Sequence, residues 1–553
     1  VKDLSTPLLF AISASVGIVP RVMQKFNSGI LLGALFVLTA CGGGGSSDGG
    51  SNNISSRPNP FTGGGGWTAG VYKDASQFAD RCANPRTGTD PFTGAAYPDG
   101  KGSYRDENNF LRSWSNDTYL WYREIVDVNP ANYSDTLEYF SLLRTTAVTP
   151  SGTPKDQFHF TYSSDEWERL SEAGITYGYG MELSWISTAL PRELIVAYTQ
   201  PNSPADLASI KRGAKILKID GVDLINAYTS ADITILNDGL FPSVTGQAHI
   251  FTLDEAGVVR DVILQSASVA SVPVQNVKTL DTATGKVGYL TFNDHIAPAE
   301  QGLIDAINQL DAAGVNDLVL DLRYNGGGYL AIASQLAYMI AGYSPTVGKT
   351  FEELQFNDKY PNKDPVTGEV LASEPFYSTS LGFSVSEGQA LPTLDLNRVY
   401  VLTSSDTCSA SEALMNGLRG VGIQVIQIGR TTCGKPYGFY PQPNCGTTYF
   451  TVQFRGVNAK NFGDYSDGFA PASSDDGKAR ILGCSVADDF THALGDPDET
   501  RLAAALYYRT NNRCPAGSSS VGVMQKAASP LKSIDGHLIK TQALQNKLMR
   551  PLR

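Results

Sequence analysis

Ser409 and Lys435 fall where a nucleophile and its base would be useful. They lie in residues 399–439, VYVLTSSDTCSASEALMNGLRGVGIQVIQIGRTTCGKPYGF. Residues 399–403 are a β-rich run, a small-residue loop follows, and 411–418 reads as a helix start with Ser411 as a plausible N-cap. Residues 425–428 form a second apolar strand, and a Gly/Thr turn after it delivers Lys435. A helix N-terminus offers backbone N–H groups to an oxyanion. A lysine in an apolar pocket can lose its proton near neutral pH and activate a serine. The expected chemistry is acyl transfer by a Ser/Lys pair.

Two blander readings compete. Ser-Ala-Ser-Glu alone is an ordinary capping sequence. The run from Gly429 to Lys435 nearly matches a phosphate-binding loop, but that motif needs Ser or Thr after the lysine. Pro436 stands there, with no hydroxyl for magnesium, and the residues after it do not read as a helix. An ATPase is excluded.

A second element strengthens the serine reading. Residues 317–330, DLVLDLRYNGGGYL, join a buried-strand pattern to a glycine turn where backbone can approach a ligand closely. An apolar helix pattern follows at 330–340. Such a turn can supply a second oxyanion donor.

Taken together, LDLRYNGG, SASEA and GRTTCGKP resemble the signature of the C-terminal processing (tail-specific) serine peptidases. The resemblance implies a layered α/β core of the ClpP/crotonase-like kind and no cofactor or metal. It implies Ser409 as nucleophile, Lys435 as general base, and the amides of Gly327 and Ala410 as the oxyanion hole. Glu412 matches a family glutamate near the pair. Several members carry a glutamine four residues after the lysine, and here that residue is Phe439. Lowering a lysine pKa from roughly 10.4 towards 7 costs about 4.6 kcal/mol, for which Ile426, Ile428 and Phe439 offer apolar surroundings.

The chain is long enough, at 553 residues, for several domains. A formal charge of −12 without any Lys/Arg-rich run argues against nucleic acid. Residues 1–40 read as a signal peptide: Arg21 and Lys25 precede the short apolar run 29–40. The ending Leu-Thr-Ala-Cys resembles the bacterial lipobox, which implies a lipidated Cys41, a membrane anchor and a bacterial cell-envelope location. A plain signal peptide is the alternative. Cys82, Cys408, Cys433, Cys445, Cys484 and Cys514 remain, an even number that suggests disulfides in an exported protein. Cys408–Cys433 would staple the nucleophile segment to the base segment, and Cys433–Cys445 is equally allowed. No Cys-x-x-Cys pair points to zinc.

In chain order, 41–66 is a Gly/Ser-rich tether. Residues 67–165 read as an N-terminal helical domain, with aromatics at near-helical spacing across 110–125 and 137–143. Residues 166–275 resemble a PDZ domain, with Tyr179, Gly180, Met181, Glu182 and Leu183 in the place of its carboxylate-binding loop. Such a unit captures peptide C-termini by strand addition, which implies a protein or peptide substrate with a free C-terminus. Residues 276–513 alternate strands and helices, the pattern of an α/β core, interrupted by a polar, Pro-rich insertion or lid at 342–394. Residues 468–471 resemble the family's Gly-x-x-Pro turn. Residues 514–553 read as a disordered or weakly helical tail.

Two decoys remain. His295 follows a strand and offers a Ser-His alternative. Asp464, Asp467, Asp475 and Asp476 miss the alternating spacing of a calcium loop. The rival function is a catalytically silent peptide-binding lipoprotein on the same scaffold.

Overall fold

Strand patterning sets the architecture. In Asp317–Asp321 every residue is buried, as are the last six of Gly285–Phe292 and the last five of Arg398–Thr403. Strands covered on both faces lose the apolar/polar alternation of half-exposed ones. They sit inside a seven-stranded sheet with the spatial order Val274–Thr282, Gly285–Phe292, Asp317–Asp321, Arg398–Thr403, Gln424–Gly429, Arg480–Ser485, Ala470–Ala472. The first pair is antiparallel and every later pair is parallel. The computed structural model describes residues 67–518 and the strand Lys547–Met549.

The period-2 alternation of side chains sorts this sheet's residues into two cores. Leu318, Leu320, Val399, Val401 and Val425 face helices Ala299–Ala313, Leu330–Ala341 and Ala410–Gly420. Val319, Tyr400, Leu402, Ile426 and Ile428 face helix Thr500–Asn511 through Leu502, Ala505 and Tyr508. The chain is thus a layered α/β protein with a β-rich unit, as its sequence pattern predicts. Among the described residues, no helix is long and apolar enough to cross a membrane.

The region 67–165 differs from the expectation of a separate helical domain. It contains helices Tyr104–Thr118 and Thr136–Ser141, but it is fastened to the core. Strand Phe160–Ser163 pairs antiparallel with Thr447–Phe450, Cys82 is bonded to Cys445, and the Phe140 ring lies edge-on to Tyr449 at 4.9 Å. Its aromatic density packs this joint.

The β-rich unit holds a sheet in the order Val258–Gln265, Ala248–Glu255, Lys215–Ile219, Glu193–Thr199, Met181–Ser187, with helix Ser230–Leu240 against it. Met181–Ser187 is the outermost strand. The Tyr179 side chain departs from an outward-facing role: it is buried in the unit's core, its ring edge-on to Phe251 at 5.2 Å. At Gly180 a Cβ would lie 2.2 Å from Ser203 Cβ, so the turn admits only glycine. Met181, Glu182 and Leu183 are half-buried on the edge strand.

The insertion 342–394 does more than cover. Its strand Thr350–Gln355 pairs with Phe454–Val457, which pairs in turn with Tyr437–Gly438 just beyond Lys435. The tail also differs from expectation. Lys547–Met549 is a strand, parallel to Gly327–Tyr329, because the glycine strand presents a free edge that satisfies its backbone groups. The expected signal peptide, lipidated Cys41 and tether lie outside the described residues, as does the rest of the tail beyond 518.

Candidate active site

Strand Arg398–Thr403 delivers the chain into a tight loop that ends at Ser409, the N-cap of helix Ala410–Gly420. Ser409 has φ 59° and ψ −114°. A non-glycine residue there is outside the main allowed regions, at a cost of about 1–3 kcal/mol. Surrounding contacts must over-determine such a conformation, and here they do. The Cys408 amide donates to Asn325 O (3.1 Å), and Glu412 Oε2 accepts the Ser409 N–H at 3.0 Å. Ser409 is fully buried, and its Oγ makes no hydrogen bond among the described residues. Ala410 opens the helix, so its amide has no acceptor within the helix by position.

Glu412 organises both motifs. Its Oε2 also accepts the Lys435 amide (2.8 Å), and its Oε1 accepts the Gly434 amide (2.9 Å) and the Thr432 hydroxyl. Burial pushes its carboxyl above the usual range, while these donors pull against that. The Gly468 turn grips Thr432 from behind: Phe469 N–H donates to Thr432 Oγ1 (2.7 Å) and Thr432 N–H to Phe469 O (3.0 Å). Cys408 and Cys433 are disulfide-bonded with Cα atoms 5.2 Å apart, resolving the open pairing in favour of the staple; the third bridge is Cys484–Cys514.

Lys435 is fully buried. Its Nζ lies 4.1 Å from the centroid of the Phe439 ring and 4.9 Å from that of Phe158. Phe439 therefore packs on the ammonium end in the place where the resemblance sets a glutamine. Phe158 arrives from the N-terminal region.

The glycine turn is held from three sides. Asn325 O accepts from Cys408 N–H and Ser411 Oγ (both 3.1 Å), and Asn325 Nδ2 donates to Phe292 O (2.8 Å). Asn325 Oδ1 accepts the Gly327 N–H at 2.9 Å, so the amide assigned to the oxyanion hole is engaged by this side chain. Beneath it, fully buried Arg323 donates to both oxygens of Glu499 (2.8 and 2.9 Å) and to Asp488 (2.6 Å). From the β-rich unit, Arg212 donates to Tyr324 OH and Asp488.

His295 flanks the turn through its backbone: its N–H donates to Gly327 O (3.0 Å), and its carbonyl accepts Tyr329 N–H (2.8 Å). Its ring Nδ1 is 3.0 Å from Asn325 Oδ1 and makes no bond to Ser409. Burial lowers its pKa to about 3. The structure gives His295 a place beside the turn and no contact with the serine hydroxyl.

The acidic decoys have other partners. Asp467 accepts from Thr149 and Ser151, Asp475 from Arg419, and Asp476 from the amides of Lys478 and Arg480. Cys408, Glu412 and Cys433 lie close enough to resemble a metal cluster, but both sulfurs are in the disulfide.

Sequence reasoning missed Phe158, Asn325 and Thr432. Only Asn325 left a signal, since asparagine before glycines favours a turn in which the side chain accepts a backbone amide two residues on.

Comparison with known proteins converges on this region. Residues 286–443 match peptidase family S41. The carboxyl-terminal-processing peptidase 1 of Arabidopsis thaliana chloroplasts is 27% identical over 282 residues, covering 51% of either chain. A carboxyl-terminal-processing protease of Picosynechococcus is 28% identical over 270 residues, 48% of this chain and 56% of that one. The chain thus spans about half the length of the curated relatives it matches. An S41 protease structure from Bacteroides fragilis superposes with a TM-score of 0.53 at 23% identity, over 73% of this chain and 97% of that one. The matched segment contains Ser409, Lys435, Glu412 and the glycine turn, and through it this chain belongs to peptidase family S41, related to the carboxyl-terminal-processing peptidases.

Proposed function

We infer that the chain is a serine endopeptidase working through a Ser409/Lys435 dyad. One observation carries this reading: a single oxygen, Glu412 Oε2, accepts the amides of both residues. That arrangement fixes the backbone of a strained serine against the backbone of a buried lysine. Burial favours the neutral amine, which accepts the Ser409 hydroxyl proton as Oγ attacks a peptide carbonyl carbon. The Ala410 amide stabilises the resulting oxyanion, and the Gly327 amide joins it when released from Asn325 Oδ1. The lysine then protonates the leaving amine. Water, deprotonated by the same lysine, hydrolyses the acyl-enzyme and frees the serine.

The substrate in this reading is an exported protein or peptide whose free, apolar C-terminus adds to the edge strand Met181–Ser187 of the PDZ-like unit. Three disulfides support an oxidising, extracytoplasmic compartment. The lipobox-like Leu-Thr-Ala-Cys41 supports anchoring in a bacterial cell envelope.

The test is proteolysis of a denatured protein with an apolar C-terminus by wild type, Ser409→Ala and Lys435→Ala. Cleavage lost in both variants with folding intact is the expected result. Activity surviving Lys435→Ala would sink the lysine base. No cleavage by wild type, with its tail displaced, leaves the silent peptide-binding lipoprotein as the reading.

A further inference from the structure

The strand Gly327–Tyr329 has two edges. One is taken by His295, whose N–H meets Gly327 O and whose carbonyl meets Tyr329 N–H. Backbone groups alternate sides along a strand, so the Gly328 N–H and carbonyl point to the other edge. Lys547–Met549 lies there, in register Gly327↔Lys547, Gly328↔Leu548, Tyr329↔Met549, running parallel. A parallel ladder in this register directs the Gly328 N–H to the Lys547 carbonyl and the Met549 N–H to the Gly328 carbonyl. On its far side the segment runs beside Tyr437–Gly438, two residues past Lys435. It therefore bridges the opening between the glycine turn and the lysine segment.

A peptide approaching Ser409 must bring its main chain into that same opening, and extended peptides gain affinity by adding to a free strand edge. We propose that the chain's own C-terminal segment around Lys547–Met549 is an intramolecular competitor, docked as a parallel strand on Gly327–Tyr329 where substrate main chain binds. This rests on the peptidase reading above and adds to it the slot and direction of the bound peptide. Charge favours the docking. From residue 525 to 553 the sequence carries Lys526, Lys532, Lys540, Lys547, Arg550 and Arg553 against one acid, Asp535, while the whole chain is at −12. Tethering raises the local concentration of such a segment to roughly millimolar for a short flexible connection, so weak intrinsic affinity suffices to fill the slot.

The experiment uses the full chain. Met549→Pro removes the N–H that meets Gly328 O, and Met549→Ala keeps it. On a peptide substrate, Met549→Pro is expected to lower the apparent KM about tenfold with kcat unchanged, and Met549→Ala to stay within about twofold of wild type. In parallel, a synthetic peptide of residues 545–553 is titrated calorimetrically into Ser409→Ala and into Ser409→Ala/Met549→Pro. Binding at least about tenfold tighter to the double variant supports the competitor. Equal KM values together with equal or absent peptide binding overturn it and leave the peptidase reading intact. If no variant hydrolyses substrate yet the peptide binds the double variant selectively, the docking stands and the peptidase reading falls.

Discussion

The amides of Ser409 and Lys435, 26 residues apart in sequence, end on the same oxygen: Glu412 Oε2 accepts them at 3.0 and 2.8 Å. One buried carboxylate therefore sets the distance between a serine and a lysine that arrive from different strands. Each hydrogen bond to a charged acceptor contributes about 1.5–3 kcal/mol, and Glu412 accepts four from backbone and hydroxyl donors.

The first prediction concerns that carboxylate. Glu412→Ala should lower kcat by about 10²- to 10³-fold, the effect of misplacing reacting groups by an ångström or so, with KM little changed. A purely structural role would instead lower the active fraction at constant kcat per folded molecule. Active-site titration alongside steady-state kinetics separates the two, and an unchanged kcat per titrated site would reject the positioning role.

The Cys408–Cys433 bridge makes the same connection covalently, from the residue before the serine to the residue two before the lysine. Closing a loop of this size stabilises by about 3 kcal/mol in the chain-entropy account. Cys408→Ala/Cys433→Ala should lose stability of that order in urea titration and most of its peptidase activity. A variant with wild-type activity would show that Glu412 alone suffices to hold the pair.

Gly328 gives a sharper steric test. It has φ 136°, and an added Cβ would sit 2.4 Å from the His295 carbonyl oxygen, backbone that cannot swing away. Gly328→Ala should cost about 2–4 kcal/mol and displace the glycine strand. Gly314 has φ 66° with open space around it, so Gly314→Ala should cost only about 1 kcal/mol. Equal losses of Tm in the two would remove the close approach from the explanation.

What could be read in the sequence was what lies within one element or one turn. Ser409 at a strand-to-helix junction, Lys435 after the next strand and the glycine run are local patterns, and both faces of the central sheet follow from buried-strand composition. Contacts made across the fold were not legible. Phe158 reaches Lys435 from 277 residues earlier, and no periodicity encodes that approach. The six cysteines allowed many pairings until the fold brought Cys82 to Cys445. The segment 67–165 read as its own domain because helical spacing reports amphipathicity and not the partner. Its apolar face meets Tyr449, in the core. The tail strand was hidden for the same reason, since its partner is a backbone edge rather than a side-chain pattern.

The last prediction follows from two buried histidines. His159 sits between Thr451 Oγ1 (3.0 Å) and Phe140 O (2.8 Å), and burial lowers its pKa to about 4; His295 is lowered to about 3. An unfolded chain protonates either ring below about 6.5. The unfolded state therefore binds more protons than the folded state between pH 6.5 and those lower values, and stability rises with pH across that window. It is fully present above about pH 6.5 and falls as acid is added, by about 3 kcal/mol for His159 at 1.36 kcal/mol per pH unit. Urea midpoints at pH 7.5, 5.5 and 4.5 should drop steadily for wild type. His159→Gln keeps a donor and an acceptor but cannot titrate, so its midpoints should start lower and fall less steeply. Parallel pH slopes for the two proteins would assign the acid sensitivity to other groups and remove His159 from the account.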